Sequence, residues 1–302
     1  MSRECILVTG ASGQVGYELQ RALALLGRVV AVDRTACDLS DPESIRRCVR
    51  AVRPTLIVNA GAYTAVDRAE SEVGLAYAVN ASALEVLAHE ARMSGASVVH
   101  YSTDYVFDGQ ASQPYDEQAA TGPISVYGAS KLQGERALID GLASTGVDHW
   151  ILRTTWVFGV HGGNFLKTML RLGRQRDQLS VVADQFGAPT SAALIADVTA
   201  RLLVCRPASG VYHLAAAGET SWHGYAQYLL RLAVASGVIL RVDPEAVQAI
   251  TSDSYPTPAR RPENSRLDCG KLTAALDMTL PHWKSGVDHV SQALFGNRQL
   301  FG

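Results

Sequence analysis

The sequence predicts an α/β protein in which a doubly wound parallel sheet is followed by a smaller α/β lobe. In the first half of the chain, short apolar, β-branched segments alternate with segments of helical spacing, and a glycine-rich turn follows the first apolar segment. The alternation ends near residue 160. Strand–helix–strand repeats favour parallel strands joined by right-handed crossovers, which build an open sheet with helices on both faces.

The elements of the first half are predicted in order from apolar spacing and stop signals. CILVTG (5–10) is the first strand, and YELQRALALLG (17–27) is a helix that Gly27 would stop. VVAVD (29–33) is the second strand, and DPESIRRCVRAV (41–52) is a helix with an aspartate cap and an early proline. Further buried strands are predicted at TLIVNAG (55–61), ASVVHYSTD (96–104) and HWILRTTWVFG (149–159).

The second half of the chain has a less regular pattern. It predicts a helix near 163–174, a strand at VYHLA (211–215), a helix near 222–235 and a helical tail to about 295. Because the 211–215 segment has strand character, the chain is predicted to return to the sheet there. The predicted domains are therefore a sheet domain, 1–158 plus about 192–216, and a smaller lobe, 159–191 and 217–302.

The composition excludes several classes of partner. The 302 residues are 47% hydrophobic and 19% charged, with a net charge of −2 and no basic stripe. This argues against nucleic acid or an anionic membrane as the main partner. Five scattered cysteines without a CxxC motif indicate reduced thiols. The N-terminus lacks a signal-peptide layout, and no apolar run approaches the ~20 residues that span a bilayer. We therefore expect a soluble, cytoplasmic protein.

The turn TGASGQVG (9–16) between the first strand and the first helix predicts a dinucleotide site of the Rossmann type. Its glycines have the spacing GxxGxxG. The first can make the tight turn, the second lets the backbone approach a pyrophosphate, and the third lets helix and strand pack closely. The helix N-terminus then offers free N–H groups to the phosphates. The loop residues expected at the cofactor are Gly10, Gly13, Gln14, Val15 and Gly16.

The end of the second strand leaves the choice between NADH and NADPH open. Asp33 is placed to bind the adenosine ribose hydroxyls, which favours NADH, whereas the adjacent Arg34 could hold a 2′-phosphate, which favours NADPH. Asp38 and Leu39 follow and could frame the adenine, although a loop leading into a helix would explain them as well.

A hydroxyl-rich strand end and a Tyr–Lys pair predict acid–base chemistry. Ligands of open α/β sheets bind at the carboxyl ends of strands, where Thr103 is placed. Tyr127 and Lys131 are four residues apart on a predicted helix and therefore share a face. A nearby ammonium is expected to lower the pKa of the phenol, ordinarily ~10, toward a value useful in catalysis. Together these residues predict a proton donor, its cation and a hydroxyl that orients a substrate carbonyl.

These motifs resemble the dTDP-4-dehydrorhamnose reductase family of extended short-chain dehydrogenases/reductases. The resemblance spans nearly the whole chain, and its second half is the more specific part. The matching segments are GASGQVGYELQ (10–20), NAGAYTAVDRAESE (59–72), HYSTDYVFDG (100–109), VYGASKLQGE (126–135), RTTWVFG (153–159), NFLKTMLRL (164–172), DQFGAPT (184–190) and YPTPARRPENSRL (255–267).

The resemblance implies reduction of the 4-keto group of dTDP-4-dehydro-6-deoxy-L-mannose to dTDP-L-rhamnose by NADPH or NADH. It implies that Tyr127 donates the proton, that Lys131 also holds the nicotinamide ribose, and that Thr103 aligns the donor. It further implies that Asp104 and Trp156 contact the sugar. Cofactor-lining positions are implied at Ala62, Tyr63 and Thr64, and the smaller lobe would bind the sugar nucleotide.

Three further polar residues are candidates for the nucleotide part of the substrate. Asn164 is one of them. Arg260 and Arg261 could neutralise the diphosphate, because guanidinium groups suit phosphate oxygens. Salt bridges that anchor the lobe explain the two arginines equally well. His100 lies in a buried-strand pattern and is expected to be a hydrogen-bonded core histidine.

The sequence departs from the family it resembles at the magnesium-bridged dimer contact that some members of that family have. Glu18 matches one expected glutamate, but Ala193 and Gln292 stand where further acids would be expected, and hard cations require several oxygen ligands. A monomer, or a homodimer through another interface, is therefore expected. Magnesium could accompany the diphosphate, but nothing in the sequence requires it, and no protein metal site is predicted.

Two other functions remain open from the sequence. One is reduction of a different dTDP-deoxysugar, for example in antibiotic sugar assembly, since only the pocket shape would differ. The other is a non-catalytic, cofactor-binding regulatory subunit, because a fold does not determine a function.

Overall fold

The fold is that of a computed structural model, which describes residues 4–296. Its strands are β1 Glu4–Thr9, β2 Gly27–Val32, β3 Leu56–Asn59, β4 Ser97–Thr103, β5 His149–Thr154, β6 Val157–Phe158, β7 Ser180–Val182, β8 Phe186–Gly187, β9 Thr190–Ser191, β10 Gly210–His213, β11 Thr220–Ser221 and β12 Gln248–Ile250. Its α-helices are α1 Gln14–Ala22, α2 Pro42–Val52, α3 Val66–Ala69, α4 Val73–Tyr77, α5 Ala83–Ser94, α6 Val126–Leu142, α7 Phe165–Gln175, α8 Ala192–Cys205, α9 Trp222–Ala235, α10 Gly270–Leu276 and α11 Trp283–Gly296.

The predicted open parallel sheet is confirmed. Six strands pair in the order β10-β5-β4-β3-β1-β2, and every pairing is parallel. Helices α1, α8 and α10 contribute to the apolar core on one face, and α2, α5 and α6 to the core on the other. The chain passes from β1 to β2 in one direction and then to β3 on the opposite side of β1. Ligands of doubly wound folds bind at such a reversal, outside the carboxyl ends of the strands.

The predicted return of the chain to the sheet takes place at β10, which pairs in parallel with β5. The predicted α9 and the helical tail are also observed. Between and after them, three two-stranded sheets (β6–β9, β7–β12 and β8–β11) and helices α7, α9 and α11 surround a third apolar core. Residues 1–3 and 297–302 of the two predicted domains lie outside the described residues.

Two predicted elements differ from the structure. The first helix begins at Gln14 and ends at Ala22, so Gly27 does not stop it. Gly27 instead opens β2, where a Cβ would collide with the backbone carbonyl of Glu4 on the paired strand. The predicted strand 149–159 is broken at Trp156, whose φ of 47° turns the chain out of the main sheet. Apolar spacing does not report such a backbone turn.

No helix among residues 4–296 is long and apolar enough to cross a membrane.

Candidate active site

A cavity of about 880 Å³ lies at the carboxyl edge of the sheet, between the β1–α1 turn and the stacked side chains of Trp156 and Trp222. Most of the residues predicted for the site line it: Gly10, Gly13, Gln14, Val15, Arg34, Asp38, Leu39, Ala62, Tyr63, Thr64, Thr103, Asp104, Tyr127, Lys131, Trp156 and Asn164. Four predicted residues are not in its wall: Gly16, Asp33, Arg260 and Arg261.

The glycine turn has the backbone of a phosphate-binding loop. Gly10 has a φ of 69°, and a Cβ there would lie 2.5 Å from the amide nitrogen of Gly61, which follows β3. Gly16 is not in the cavity wall because it packs against the carbonyl of Gly10, where a Cβ would collide. Gly13 caps α1 with no side-chain hydrogen bond, so the first-turn N–H groups are available to an anion. This loop therefore fits a dinucleotide diphosphate.

The choice between NADH and NADPH depended on Asp33 and Arg34, and of these two residues only Arg34 lines the cavity. The carboxylate of Asp33 accepts hydrogen bonds from the amides of Thr35 and Ala36 and from the Thr35 hydroxyl, and these bonds lower its pKa. Asp33 therefore closes its own turn. Arg34 is largely exposed, and its Nε lies 3.3 Å from a carboxylate oxygen of Asp38. The side of the cavity after β2 thus presents a guanidinium, a feature that suits a phosphate.

The wall at Ala62–Thr64 is held by a residue that the sequence analysis missed. Asn80 lies in a π-helical turn, Ala78–Ser82. Its side chain accepts from the Tyr63 amide at 2.9 Å and donates to the Tyr63 carbonyl at 3.1 Å and to the Ser130 hydroxyl at 3.0 Å. It therefore ties the loop after β3 to α6. The apolar spacing around residue 80 looks like ordinary helix, so no sequence signal marks the π turn, a feature frequent at functional sites.

Thr103, Tyr127 and Lys131 come together at one end of the cavity, on the end of β4 and the first turns of α6. α6 begins where the Ser125 hydroxyl accepts from the Gly128 amide, and Gly128 lets it pack onto the Tyr105 carbonyl. This cap sets the position from which Tyr127 enters the cavity.

The predicted lowering of the Tyr127 pKa by Lys131 is wrong. Burial of the phenol raises its pKa to about 12, the nearby charge of Asp104 adds to the rise, and a hydrogen bond with Thr103 opposes it. Burial also lowers the pKa of Lys131 to about 8, while Glu135 raises it. Tyr127 is therefore a protonated phenol at neutral pH, which is the state that a proton donor needs.

Buried polar atoms without partners cluster where β4 and β5 end. Asp104 is 3% exposed, and burial raises its pKa to about 6 against the effect of neighbouring hydroxyls. One of its oxygens accepts from Thr103 at 3.0 Å, and the other has no hydrogen bond of good geometry among the described residues, although the hydroxyls of Ser265 and Thr155 are near enough to lower the Asp104 pKa. The hydroxyls of Ser102 and Thr154, which also line the cavity, have no hydrogen-bond partner within residues 4–296. Such atoms are costly unless a ligand or water satisfies them, so this end suits a polyhydroxylated ligand.

The opposite side of this end is aromatic. The ring of Trp156 stacks on that of Trp222 with centroids 3.6 Å apart, and both line the cavity. Trp222, at the start of α9, was not predicted, because its contact with Trp156 depends on the folding of the smaller lobe. Asn164 donates to the Gln14 side chain at 2.9 Å and caps α7 through the Lys167 amide. It therefore joins the smaller lobe to the glycine turn.

The two arginines of the C-terminal segment lie outside the cavity wall. Arg261 forms an ion pair with Asp67 at 2.7 Å and donates to Thr257, which corresponds to the lobe-anchoring alternative. Arg260 is exposed. Within residues 4–296, no group of three His, Cys, Asp or Glu side chains could hold a metal ion.

An open parallel sheet with a glycine turn at its reversal point and a Tyr–Lys pair on the wall of the same cavity is the arrangement of an extended short-chain dehydrogenase/reductase. The sequence matches the family profile described as RmlD substrate binding domain over residues 3–295. The chain belongs to the dTDP-4-dehydrorhamnose reductase family.

Named relatives agree with this membership. The chain is 47% identical to the dTDP-4-dehydrorhamnose reductase of Escherichia coli K12, over 96% of this chain and 98% of that one. It is 49% identical to the enzyme of the same name from Burkholderia thailandensis, over 93% and 96% of the two chains. Its fold matches a crystal structure of dTDP-4-dehydrorhamnose reductase from Bacillus anthracis in complex with NADP, with a TM-score of 0.88, 33% identity and coverage of 96% and 99%.

Proposed function

We propose that this protein reduces the 4-keto group of dTDP-4-dehydro-6-deoxy-L-mannose (dTDP-4-dehydrorhamnose) to give dTDP-L-rhamnose, with NADPH as the reductant. The observation that carries the proposal is the convergence of Thr103, Tyr127 and Lys131 on one wall of a cavity that also contains the glycine turn. Family membership over nearly the whole chain supports the choice of substrate.

The cofactor is proposed to be NADPH rather than NADH. When bound, it supplies the hydride. Gly10 and Gly13, with the N-terminus of α1, would hold its diphosphate, and Arg34 would hold the 2′-phosphate. The NADP in the Bacillus anthracis relative supports this preference. Asp38 and Leu39 would frame the adenine, and Ala62–Thr64 with Lys131 would contact the nicotinamide half.

Tyr127 is proposed as the proton donor. Its phenol stays protonated at neutral pH because burial holds its pKa at about 12, so the proton is available to the oxygen of the reduced carbonyl. Thr103 hydrogen-bonds the phenol and would orient the same carbonyl. The Lys131 ammonium, one helical turn away, would stabilise the phenolate left behind.

The sugar is proposed to occupy the end of the cavity where β4 and β5 finish. Asp104 would accept hydrogen bonds from sugar hydroxyls, and Trp156 would cover an apolar face of the ring. Asn164 would meet the nucleotide part. The ion pair of Arg261 with Asp67 supports an anchoring role, and Arg260, exposed outside the cavity wall, stays the proposed partner of a diphosphate that extends beyond that wall.

The division into domains, the cellular location and the oligomeric state are also proposals. Residues 1–158 with about 192–216 are proposed to bind the dinucleotide, and 159–191 with 217–302 the sugar nucleotide. We propose a cytoplasmic monomer or homodimer without a magnesium bridge, because Ala193 and Gln292 stand where further acids would be needed beside Glu18.

The test is the loss of reduced-nicotinamide absorbance with dTDP-4-dehydro-L-rhamnose. The native chain should turn over, and Tyr127→Phe should lose roughly 10²-fold or more of kcat while still binding NADPH, as expected for removal of a general acid. Tyr212→Phe, outside the cavity, is the matched control and should keep its turnover. A native protein that binds NADPH but leaves this sugar unreduced would contradict the proposal. Reduction of another dTDP-keto-sugar would then select the first alternative, and no reduction at all would favour a regulatory subunit.

A further inference from the structure

A row of buried polar side chains crosses the sheet behind the Tyr–Lys pair. Thr9, Asn59 and His100 are register partners on β1, β3 and β4, and each is at most 1% exposed. They lie on the face that packs against α6, whereas the rest of that face is largely apolar. Polar groups at such depth are normally retained only when each one is hydrogen-bonded.

The row ends on Lys131. The Thr9 hydroxyl lies 2.5 Å from the Asn59 carboxamide oxygen, and the Asn59 carboxamide nitrogen lies 3.1 Å from His100 Nδ1. His100 Nε2 lies 3.2 Å from Lys131 Nζ. Nζ also donates to the main-chain carbonyl of Tyr101 at 2.6 Å. Nζ therefore has two protein partners among the described residues, the His100 ring and the Tyr101 carbonyl, and Lys131 lines the cavity.

We propose that His100 is a positioning residue: its Nε2 accepts from the Lys131 ammonium and, with the Tyr101 carbonyl, turns the third N–H toward the cavity. The inference rests on the proposed function in one respect: the third N–H would bind the cofactor and stabilise the phenolate of Tyr127. Burial of an ammonium is costly unless its donors are satisfied, and an unprotonated Nε2 of His100 supplies one acceptor beside the Tyr101 carbonyl.

The row of Thr9, Asn59 and His100 can keep a hydrogen bond to Lys131 whether the lysine is charged or neutral. A neutral imidazole carries one ring proton, so an Nε2 that accepts from an ammonium requires a protonated Nδ1 and an acceptor for it. A half-turn of the Asn59 carboxamide supplies that acceptor and keeps both contacts, because the Thr9 hydroxyl can donate or accept. In the other orientation, with the Asn59 nitrogen donating to Nδ1, the ring proton lies on Nε2 and an uncharged Lys131 amine would accept it.

Few charged groups face Lys131. On its own helix these are Tyr127 and Glu135, and Glu135 is bound to Arg153 of β5 by hydrogen bonds of 2.6–3.2 Å. Among the described residues of β4, its hydrogen-bond partners are His100 and the Tyr101 carbonyl. Burial, followed by the charge of Lys131, holds the pKa of His100 well below its ordinary value, so the ring is neutral. Substitution of His100 should therefore appear as a change in the pKa of Lys131.

Two amide variants separate positioning from packing. In His100→Gln the amide oxygen can reach the place of Nε2 and accept from Nζ, whereas in His100→Asn the shorter amide replaces only Nδ1. The readout is the pH dependence of the NADPH dissociation constant, with that of kcat/KM alongside. The native protein should lose affinity as the pH rises through about 8, because an uncharged Lys131 no longer holds the cofactor.

The expected result is a downward shift of this midpoint by about one pH unit in His100→Asn, because the charged form loses an acceptor, and a near-native midpoint in His100→Gln. His213 on β10 provides the control. It is equally buried, donates from Nδ1 to the Tyr115 carbonyl at 3.0 Å and makes no contact with Lys131. His213→Asn should lower thermal stability and leave the midpoint unchanged. Equal midpoints in both His100 variants, shifted or native, would overturn the inference.

A measurement on the native protein is independent of any variant. Nitrogen-15 chemical shifts of the histidine rings should show one buried ring that exchanges its Nδ1 proton for an Nε2 proton as the pH rises through about 8. His213 should keep Nδ1 protonated throughout, since it donates to a carbonyl. A His100 ring protonated at Nε2 at every pH would refute the positioning role. Failure to reduce the keto-sugar would contradict the proposed function alone, since binding and ring shifts do not depend on turnover.

Discussion

At neutral pH the buried, charged carboxylate of Asp104 is predicted to destabilise the fold, although it gives the cavity a charged group. Burial raises its pKa from an ordinary 3.8 to about 6. The folded state therefore binds this proton more tightly than the unfolded state. Below about pH 4 the carboxyl is neutral in both states and carries no penalty, and the penalty grows until the pH exceeds about 6. The stability that the neutral form provides is thus lost as the pH rises through this window.

The magnitude follows from the two pKa values. Their difference corresponds to about 3 kcal/mol at most, of which about 2 kcal/mol should appear between about pH 4.5 and pH 8. Asp104→Asn cannot ionise but keeps the oxygen that accepts from Thr103. The variant should therefore gain stability over the native protein by about 2 kcal/mol across that interval, while substrate turnover falls.

The assay is urea unfolding of both proteins at several pH values, because only the difference between them isolates residue 104. Asp108→Asn is the control of opposite sign. Asp108 accepts from the Gln110 amide and the Tyr115 hydroxyl, which lower its pKa, so this variant should lose relative stability as the pH rises. A difference for Asp104→Asn that stays constant with pH, or that falls toward pH 8, would refute the reasoning.

Three further predictions concern the ion pair under α6, the glycine turn and the cofactor. Glu135→Gln leaves the buried guanidinium of Arg153 without its counter-charge, and it should lower the free energy of unfolding in urea by about 3–5 kcal/mol. Replacing both residues with leucine should restore most of that stability. A loss below ~1 kcal/mol in Glu135→Gln would contradict the prediction. Gly10→Ala should abolish measurable NADPH binding in a fluorescence titration. Gly95→Ala is the control, because Gly95 has a similar φ of 73° but open space where its Cβ would lie. This control should bind NADPH normally and lose about 1 kcal/mol of stability to backbone strain. Arg34→Ala should weaken NADPH about tenfold or more and leave NADH unchanged, and equal losses for both cofactors would exclude a contact with the 2′-phosphate.

Local patterns were sufficient for the sheet and for the position of the cavity. The alternation of apolar strands and amphipathic helices has only a few chain paths that bury both faces of a sheet, and these bring the carboxyl ends of β1, β3 and β4 to one edge. The glycine spacing, Thr103, Tyr127 and Lys131 could therefore be placed in one cavity from the sequence alone.

The pKa values of the site could not be predicted in the same way. Spacing on α6 correctly placed Tyr127 near Lys131, but it gave the wrong direction for the Tyr127 pKa, because the depth of burial depends on every segment packed around the phenol. The same is true of Asp104, which the sequence shows only as an acid after a strand.

Contacts between distant segments were decided by the tertiary structure alone. The sequence by itself determined the fold class, the sheet and most of the predicted residues that line the cavity, since these follow from short-range periodicity and backbone geometry. The stacking of Trp222 on Trp156, the Asn80 bridge to α6 and the row from Thr9 to Lys131 join residues that are far apart in the chain. Their partners are set by how strands and lobes pack, which no local pattern encodes.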